Sequence, residues 1–374
     1  MDIKDARAAY QRGNLQLADM VARDTLAREP GHADAQALIA DIATQLDWPA
    51  ALQRGNGPRM LLIKAWNFGF WSEVDHVLGA LLLAELTGRT PLVHWGDNCL
   101  FRNADTDNAW EAYFQPVSSL RWADLTQPGL SYFPAKWSAD NLHLNEFQKW
   151  EGPGSRTAGV LMLNRPEQVL VCDFHTKIKD LLPWIPPGHR LHGLGMHEVY
   201  RALARDHLRL TPALQATVDA LWQRDMTGRN WLAVHVRGTD KVLELGNLEA
   251  VNQLYHQRID QVLNVNPSLS IFLLTDTASV VEDFRQRWGN RVWTLPVTRG
   301  DGPVGVHTRG LPGIALGQQV ILDAWLASRC DFFLGNGASN VSTGIRHLRD
   351  WPSGTYFLLG PDFLGRSDLS LHTW

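Results

Sequence analysis

The segment His235-Val-Arg-Gly-Thr-Asp-Lys241 brings a histidine, a forked cation and a carboxylate together directly after the apolar run Trp231-Leu-Ala-Val-His-Val236. An apolar run of that length reads as a buried strand. Open α/β sheets hold ligands at the carboxyl ends of their strands, so His235 and Arg237 stand where a ligand is expected. The guanidinium fork matches two phosphate oxygens. Placed there, it can neutralise charge developing on a departing diphosphate without a metal. A second anion-binding feature lies further on. A turn rich in Gly, Asn and Ser opens a helix near Asn340, with Ser339 and Asn340 at its start. Free N–H groups at a helix N-terminus suit an anion, although the same residues also make an ordinary cap. Asp323 sits inside the apolar stretch Val320-Ile-Leu-Asp-Ala-Trp-Leu326. A buried carboxylate needs a partner, either a ligand or an internal salt bridge. Asp105-Thr-Asp107 has the D-x-D spacing of a metal-holding pair, but no apolar strand leads into it, and no metal is expected. Gly193-Leu-Gly195 lacks both the third glycine and the preceding strand of a dinucleotide fingerprint.

The elements that must position these groups alternate in type. Met60-Leu-Leu-Ile63 reads as a buried strand, 72–87 as a helix ended by Gly88, and Pro91-Leu-Val-His-Trp95 as the next strand. Strand, helix and strand at these lengths form a βαβ unit with a parallel sheet. Residues 100–185 are aromatic and irregular, and 197–223 are helical. A second α/β block begins near Asn230. It runs through strands at 231–236, 270–274, 292–295 and 331–334, with helices between them, and a Gly/Pro-rich loop spans 298–312. Ahead of the first strand, residues 3–52 are alanine-rich and helix-periodic. Ala6 and Ala9 are echoed 34 positions later by Ala40 and Ala43. That period resembles a tetratricopeptide repeat, of which about one and a half fit. A single helical hairpin of this kind is expected to dock or dimerise rather than hold a peptide groove.

The chain has 374 residues, is 45% hydrophobic and 20% charged, and carries a formal net charge of −4. That balance is ordinary for a globular protein and argues against a nucleic-acid binder that relies on a basic face. Cys99, Cys172 and Cys330 are odd in number and widely spaced, which is unlike a disulfide framework or a zinc site. No apolar leader and no stretch of membrane-spanning length is evident in the sequence. The expectation is a cytoplasmic protein without a membrane span, with peripheral contact at the inner membrane face left open. There are 16 tryptophans against 6 tyrosines. Trp71, in the loop after the first strand, is nominated as a sugar platform.

The motifs, taken in order, resemble the α1,6-fucosyltransferase family, which includes the animal core fucosyltransferase and the rhizobial nodulation fucosyltransferases. His235-Val-Arg-Gly-Thr-Asp-Lys241 resembles that family's H-V-R-R-T-D-K. Leu273-Leu-Thr-Asp276 resembles its strand ending in T-D, and Gly305-Val-His-Thr-Arg309 its G-L-H-N-R loop. Val320-Ile-Leu-Asp323, Asp331-Phe332 and Ser339-Asn-Val341 follow its V-I-L-D, D-F and S-Q-V segments. Ser72-Glu-Val-Asp-His-Val77 through Gly88-Arg-Thr90 resembles its first helix and the R-T after it, so the likeness covers about 58–350.

The resemblance implies a GT-B glycosyltransferase fold, two Rossmann-like domains facing a cleft, behind the short helical repeat. The corresponding domains are 1–56, 57–222 (acceptor side) and 223–374 (nucleotide-sugar side). It implies inverting, metal-independent transfer of L-fucose from GDP-fucose to a hydroxyl of an oligosaccharide or glycoconjugate, with no further cofactor. Arg237 then binds the diphosphate. His235, Asp276, His307, Asp323, Ser339 and Asn340 contact the donor, and Trp71 and His76 the acceptor. Gly238 replaces the family motif's second arginine, and Leu245 replaces its proposed catalytic glutamate. Displacement with inversion needs a base for the acceptor proton. Asp240, Glu244 and Glu249 are the candidates, with Glu244 preferred. Two rival readings remain, a GT-B glycosyltransferase with another donor or a peptide acceptor, and an inactive GDP-sugar-binding scaffold.

Overall fold

The computed structural model describes residues 1–53, 57–144, 157–237, 248–297, 299–300 and 313–360, with only the backbone of 248–253. The chain divides into two compact units. Of the described residues, the first holds those within 1–111 and 115–203, and the second those within 112–114 and 204–360. The division thus falls near residue 203 rather than at the expected 222.

The first unit opens with helices α1 (Ile3–Gln11), α2 (Leu15–Arg28), α3 (Ala33–Leu46) and α4 (Trp48–Gln53). Asp2 caps α1 through a reciprocal bond pair with Asp5, and Gly13 takes the left-handed turn between α1 and α2 (φ 80°). Ala6, Ala9, Ala18, Val21, Ala22, Ala35, Leu38 and Ile42 close the helical core. The 34-residue echo fails at the level of packing. Ala6 and Ala9 are buried, whereas Ala40 and Ala43 are exposed. α3 instead buries the face of Ala35, Leu38, Ile42 and Gln45, because its other neighbour is the α/β body: Gln45 Nε2 donates to the Val160 carbonyl at 2.5 Å.

That body is a four-stranded parallel sheet of β1 (Met60–Lys64), β2 (Thr90–His94), β3 (Tyr132–Phe133) and β4 (Val169–Cys172), in the order β2-β1-β4-β3. β1 and β4 are buried along their whole length, which accounts for their continuous apolar runs. Helix α5 (Phe70–Thr87) connects β1 to β2 and stops at Gly88, which adopts φ 61°. The segment expected to be irregular therefore contributes two strands, β3 and β4. Helices α6 (Ile178–Leu181) and α7 (Met196–His207) follow.

Two buried charged groups set the geometry at the ends of this sheet. Arg89 donates to the carbonyls of Met60, Glu167, Gln168 and Arg165. It pins the amino-terminal ends of β1 and β4, and burial lowers its pKa to about 10. At the opposite edge, Glu73 is fully buried. Its carboxylate accepts from the amides of Trp66 (3.0 and 3.2 Å) and Phe68 (3.0 Å), which fixes a loop whose Asn67 sits at φ 71°. Asparagine tolerates that left-handed region better than most side chains. Glu73→Ala strands one buried and one half-buried amide, at about 1–3 kcal/mol for the buried one. We expect it to lower unfolding free energy by about 1–4 kcal/mol in urea denaturation, and an unchanged midpoint would contradict this account of the loop.

The second unit begins with α8 (Pro212–Leu221). Its sheet contains β5 (Trp231–Val236), β6 (Ser270–Thr275), β7 (Val292–Trp293), β8 (Phe332–Asn336) and β9 (Tyr356–Leu359), all parallel, in the order β7-β6-β5-β8-β9. Helices α9 (Leu248–Val265), α10 (Ala278–Trp288), α11 (Gly313–Ser328) and α12 (Asn340–His347) make the connections. Numbered within the unit, the strand order is 3-2-1-4-5, which is Rossmann-like. The order reverses between β5 and β8, and the carboxyl ends of those two strands are where such sheets bind ligands.

Candidate functional site

The carboxyl end of β5 forms a pocket with the end of β6, the middle of α11 and the start of α12. His235, Arg237, Thr275, Asp276, Val297, Gln319, Asp323 and Val341 are among its lining residues. Its free volume is about 110 Å³, below the roughly 300–1,000 Å³ of a complete small-molecule site. The described residues therefore build part of a site. Asp240, Glu244 and His307, like the side chain of Glu249, lie outside the described residues.

His235 is held from several directions. The Tyr255 hydroxyl donates to its carbonyl at 2.6 Å, and its Nδ1 lies 2.8 Å from Ser342 Oγ. Ser342 Oγ also accepts from the Asn336 amide at 3.0 Å. Where Ser342 gives its hydroxyl proton to Nδ1, the proton of the neutral ring lies on Nε2. Burial, with the Arg237 charge second, lowers the His235 pKa to about 3, against the opposing pull of Asp276. The ring therefore stays neutral and acts as a hydrogen-bonding group, not as a cation. Ser342 was not singled out in the sequence. Gly335 lies opposite it and leaves no room for a side chain, since a Cβ there would stand 2.5 Å from Ser342 Oγ.

Arg237 NH1 bonds Asp276 Oδ2 at 3.0 Å, and Thr277 Oγ1 donates to the other Asp276 oxygen at 3.0 Å. Asp276, expected at the donor, thus orients the cation expected at the diphosphate. Asp323 presents a different situation. Its Oδ1 is buried and has no hydrogen-bond partner among the described residues. Burial raises its pKa to about 7, with the Arg299 charge pulling the other way. Arg299 gives no direct bond to Asp323. Its guanidinium is committed to the carbonyls of Thr275, Val297 and Leu295 and to the Thr294 hydroxyl. It ties the end of β6 to the segment after β7 and lends charge to Asp323 at longer range, a role invisible in a loop arginine read as sequence.

α12 begins at the same edge. Ser339 is its N-cap residue but makes no side-chain cap bond. The first bond of the helix runs from the Thr343 amide to the Ser339 carbonyl at 3.1 Å. The amides of Asn340, Val341 and Ser342 precede that bond and have no carbonyl within the helix to accept them. Asn336, at the end of β8, is 2% exposed, and its Nδ2 is buried without an acceptor among the described residues. The pocket edge thus combines an oriented guanidinium, helix-start amides and one unmatched carboxylate oxygen. An anion beside a group rich in N–H donors would satisfy all three.

The two residues expected at the acceptor are placed otherwise. His76 is fully buried. Its Nδ1 accepts from the Thr176 amide at 3.0 Å, so its Nε2–H donates to the Lys64 carbonyl at 3.0 Å. With both nitrogens spent on backbone, it ties the end of β1 to the loop after β4 and offers nothing to a sugar. Trp71 is 4% exposed and packs edge-on against Phe70 at 6.3 Å. A stacking platform needs an open face, and this indole is core. Asp105 and Asp107 are both exposed.

No protein-family model matches the sequence, and no curated protein matches it. Solved structures share the fold. A NodZ alpha-1,6-fucosyltransferase soaked with GDP-fucose aligns with a TM-score of 0.51 and 20% identity over 78% of this chain and 92% of its own. Fucosyltransferase NodZ from Bradyrhizobium gives 0.50 and 19% over 78% and 92%. POFUT1 in complex with GDP gives 0.50 and 13% over 81% and 99%. At these identities the likeness is one of fold.

Proposed function

We propose that the chain is a glycosyltransferase of the GT-B class that moves L-fucose from GDP-fucose to a hydroxyl of an oligosaccharide or glycoconjugate, with inversion and without a metal. The observation that carries this is the pocket at the switch point of the second sheet. There Arg237, held by Asp276, stands with the unmatched oxygen of Asp323, in a fold shared with structures holding GDP or GDP-fucose. In this reading Arg237 and the α12 amides bind the diphosphate and stabilise the charge that appears as it departs. Asp323 accepts N–H groups of the guanine edge, and the Nε2–H of His235 donates to the nucleotide. Asn340 supplies a backbone donor and Ser339 its hydroxyl, since the Ser339 amide is spent on the Asn336 carbonyl at 3.0 Å. The first α/β unit takes the acceptor.

A thermal-shift and turnover screen over GDP-, UDP- and dTDP-sugars tests the assignment. We expect GDP and GDP-fucose to raise the melting temperature, and GDP-fucose to release GDP in excess chelator. A response confined to UDP-sugars overturns the donor. Strict metal dependence moves the chemistry elsewhere. GDP binding with no release under any acceptor leaves the scaffold reading.

A further inference from the structure

The reading above needs a base for the acceptor hydroxyl, and the first unit holds a group built like one. Its strands are all parallel, with β1 and β4 adjacent at the centre. The carboxyl ends of β1 and β4 therefore share one edge, the edge at which parallel α/β sheets take ligands. His175 follows β4 by three residues, and Trp66 follows β1 by two. The two rings stack across that edge, with centroids 4.5 Å apart and planes 23° from parallel. Asp75, on α5, lies 2.6 Å from His175 Nε2. A carboxylate only accepts, so in the neutral ring Nε2 carries the proton and Nδ1 carries the lone pair. No hydrogen bond to Nδ1 is present among the described residues.

Asp75 is itself fixed, because the buried Tyr200 hydroxyl on α7 bonds to it. Among the described residues, Asp180 on α6 interacts electrostatically with both members of the pair and with Lys177 and Lys179 beside it, and the His76 ring lies 6.5 Å from that of His175. A second observation points to a ligand at this edge. Asp173, the residue directly after β4, is 1% exposed. One oxygen accepts from Lys136 Nζ at 2.5 Å, while Oδ1 is buried without a hydrogen-bond partner among the described residues.

We infer that the acceptor binds at the carboxyl ends of β1 and β4, and that His175, oriented by Asp75, is the base that takes its hydroxyl proton. This rests on the glycosyltransferase reading and replaces the carboxylates nominated in the sequence. The acceptor O–H proton passes to His175 Nδ1. The freed oxygen pair forms the bond to fucose C1, and the C1–O bond to phosphate breaks with its electrons going to GDP. Asp75 holds the imidazolium until the proton leaves to solvent. A carboxylate-oriented imidazole is the usual means of making such a base.

His175→Gln tests it, since a glutamine amide still donates to Asp75 while offering no basic nitrogen. Turnover is followed as GDP release from GDP-fucose, with an N-acetylglucosamine tetramer and then water alone as acceptor. We expect wild-type turnover and at least a 100-fold loss of kcat/KM in the variant. GDP affinity should stay the same, and the acidic limb of the pH–rate profile at saturating GDP-fucose should disappear. Added imidazole should restore part of the rate. Asp75→Asn should cost about tenfold through the wrong tautomer and keep the limb. Wild-type turnover that His175→Gln retains within threefold overturns the base alone. A wild type that releases no GDP with either acceptor overturns the functional reading, and the base with it. If the Gln variant loses its near-UV circular dichroism, the same comparison is made with His175→Asn, and a parallel loss of GDP affinity there counts against the base.

Discussion

Arg237→Ala should reduce kcat/KM for GDP-fucose by roughly 10²–10³ while leaving a folded protein. The size follows from what the side chain does. A diphosphate gains negative charge as the glycosidic bond breaks, and a guanidinium already aimed by Asp276 at 3.0 Å stabilises that charge without reorganising. Gly238 stands where the resembling family has a second arginine, so the motif's arginine chemistry falls to Arg237. The loss should appear mainly in kcat, because the charge is greatest in the transition state. The cost to stability should be small. The side chains of Arg237 and Asp276 keep 24% and 19% of their exposure, a partly solvated pair of that kind contributes about 1 kcal/mol or less, and Asp276 keeps its bond from Thr277. Arg237→Lys restores a charge but not the fork and should recover only part of the rate. Circular dichroism and GDP-release kinetics on the three proteins decide the matter. Turnover in Arg237→Ala within threefold of wild type sinks the proposed role.

Much of the architecture behind that site is legible in the sequence, and the reasons are local. β5 announces itself because it is central and buried on both faces, so its apolar run is unbroken apart from His235. The histidine is the exception that marks the strand end, and its pocket neighbours Asp276 and Asp323 stand at a strand end and inside an apolar helix. β4 was not legible. Four residues, Val169–Cys172, are too short a run to separate from the irregular chain around them. Partners remote in sequence were also hidden. Ser342 meets His235 across 107 positions and Asp75 meets His175 across 100, and no periodicity encodes such pairs. The two acceptor residues were misplaced for different reasons. Trp71, read as loop, lies in the first turn of α5, which begins at Phe70, and His76 faces inward because α5 is buried on nearly every side. The 34-residue echo failed for a related reason, since α3 is shaped by Val160 in the α/β body as well as by its helical neighbours.

The buried carboxylate gives the second large effect, and it runs in opposite directions for stability and for binding. In the unfolded chain Asp323 titrates as an ordinary aspartate near pH 4. In the folded protein burial raises its pKa to about 7. Between those values the folded state holds a proton that the unfolded state has lost. Stability therefore falls as pH rises from about 4 to 7, and the full penalty persists above 7, at no more than about 4 kcal/mol. Asp323→Asn removes that penalty. The variant should match wild type near pH 4 and be the more stable protein at pH 8, as read from urea midpoints across the range. Nucleotide binding should move the other way. The N–H donors of a guanine edge bond more strongly to a carboxylate than to an amide, by about 1–2 kcal/mol, so Asp323→Asn should bind GDP about 5- to 30-fold more weakly at pH 8. Wild-type GDP affinity should rise between pH 6 and 8 as the carboxylate ionises, and that rise should vanish in the variant. Calorimetric titration with GDP at the two pH values supplies the measurement. A variant that binds GDP as tightly as wild type at pH 8 leaves Asp323 without a role at the nucleotide, and the unmatched oxygen would then need another donor.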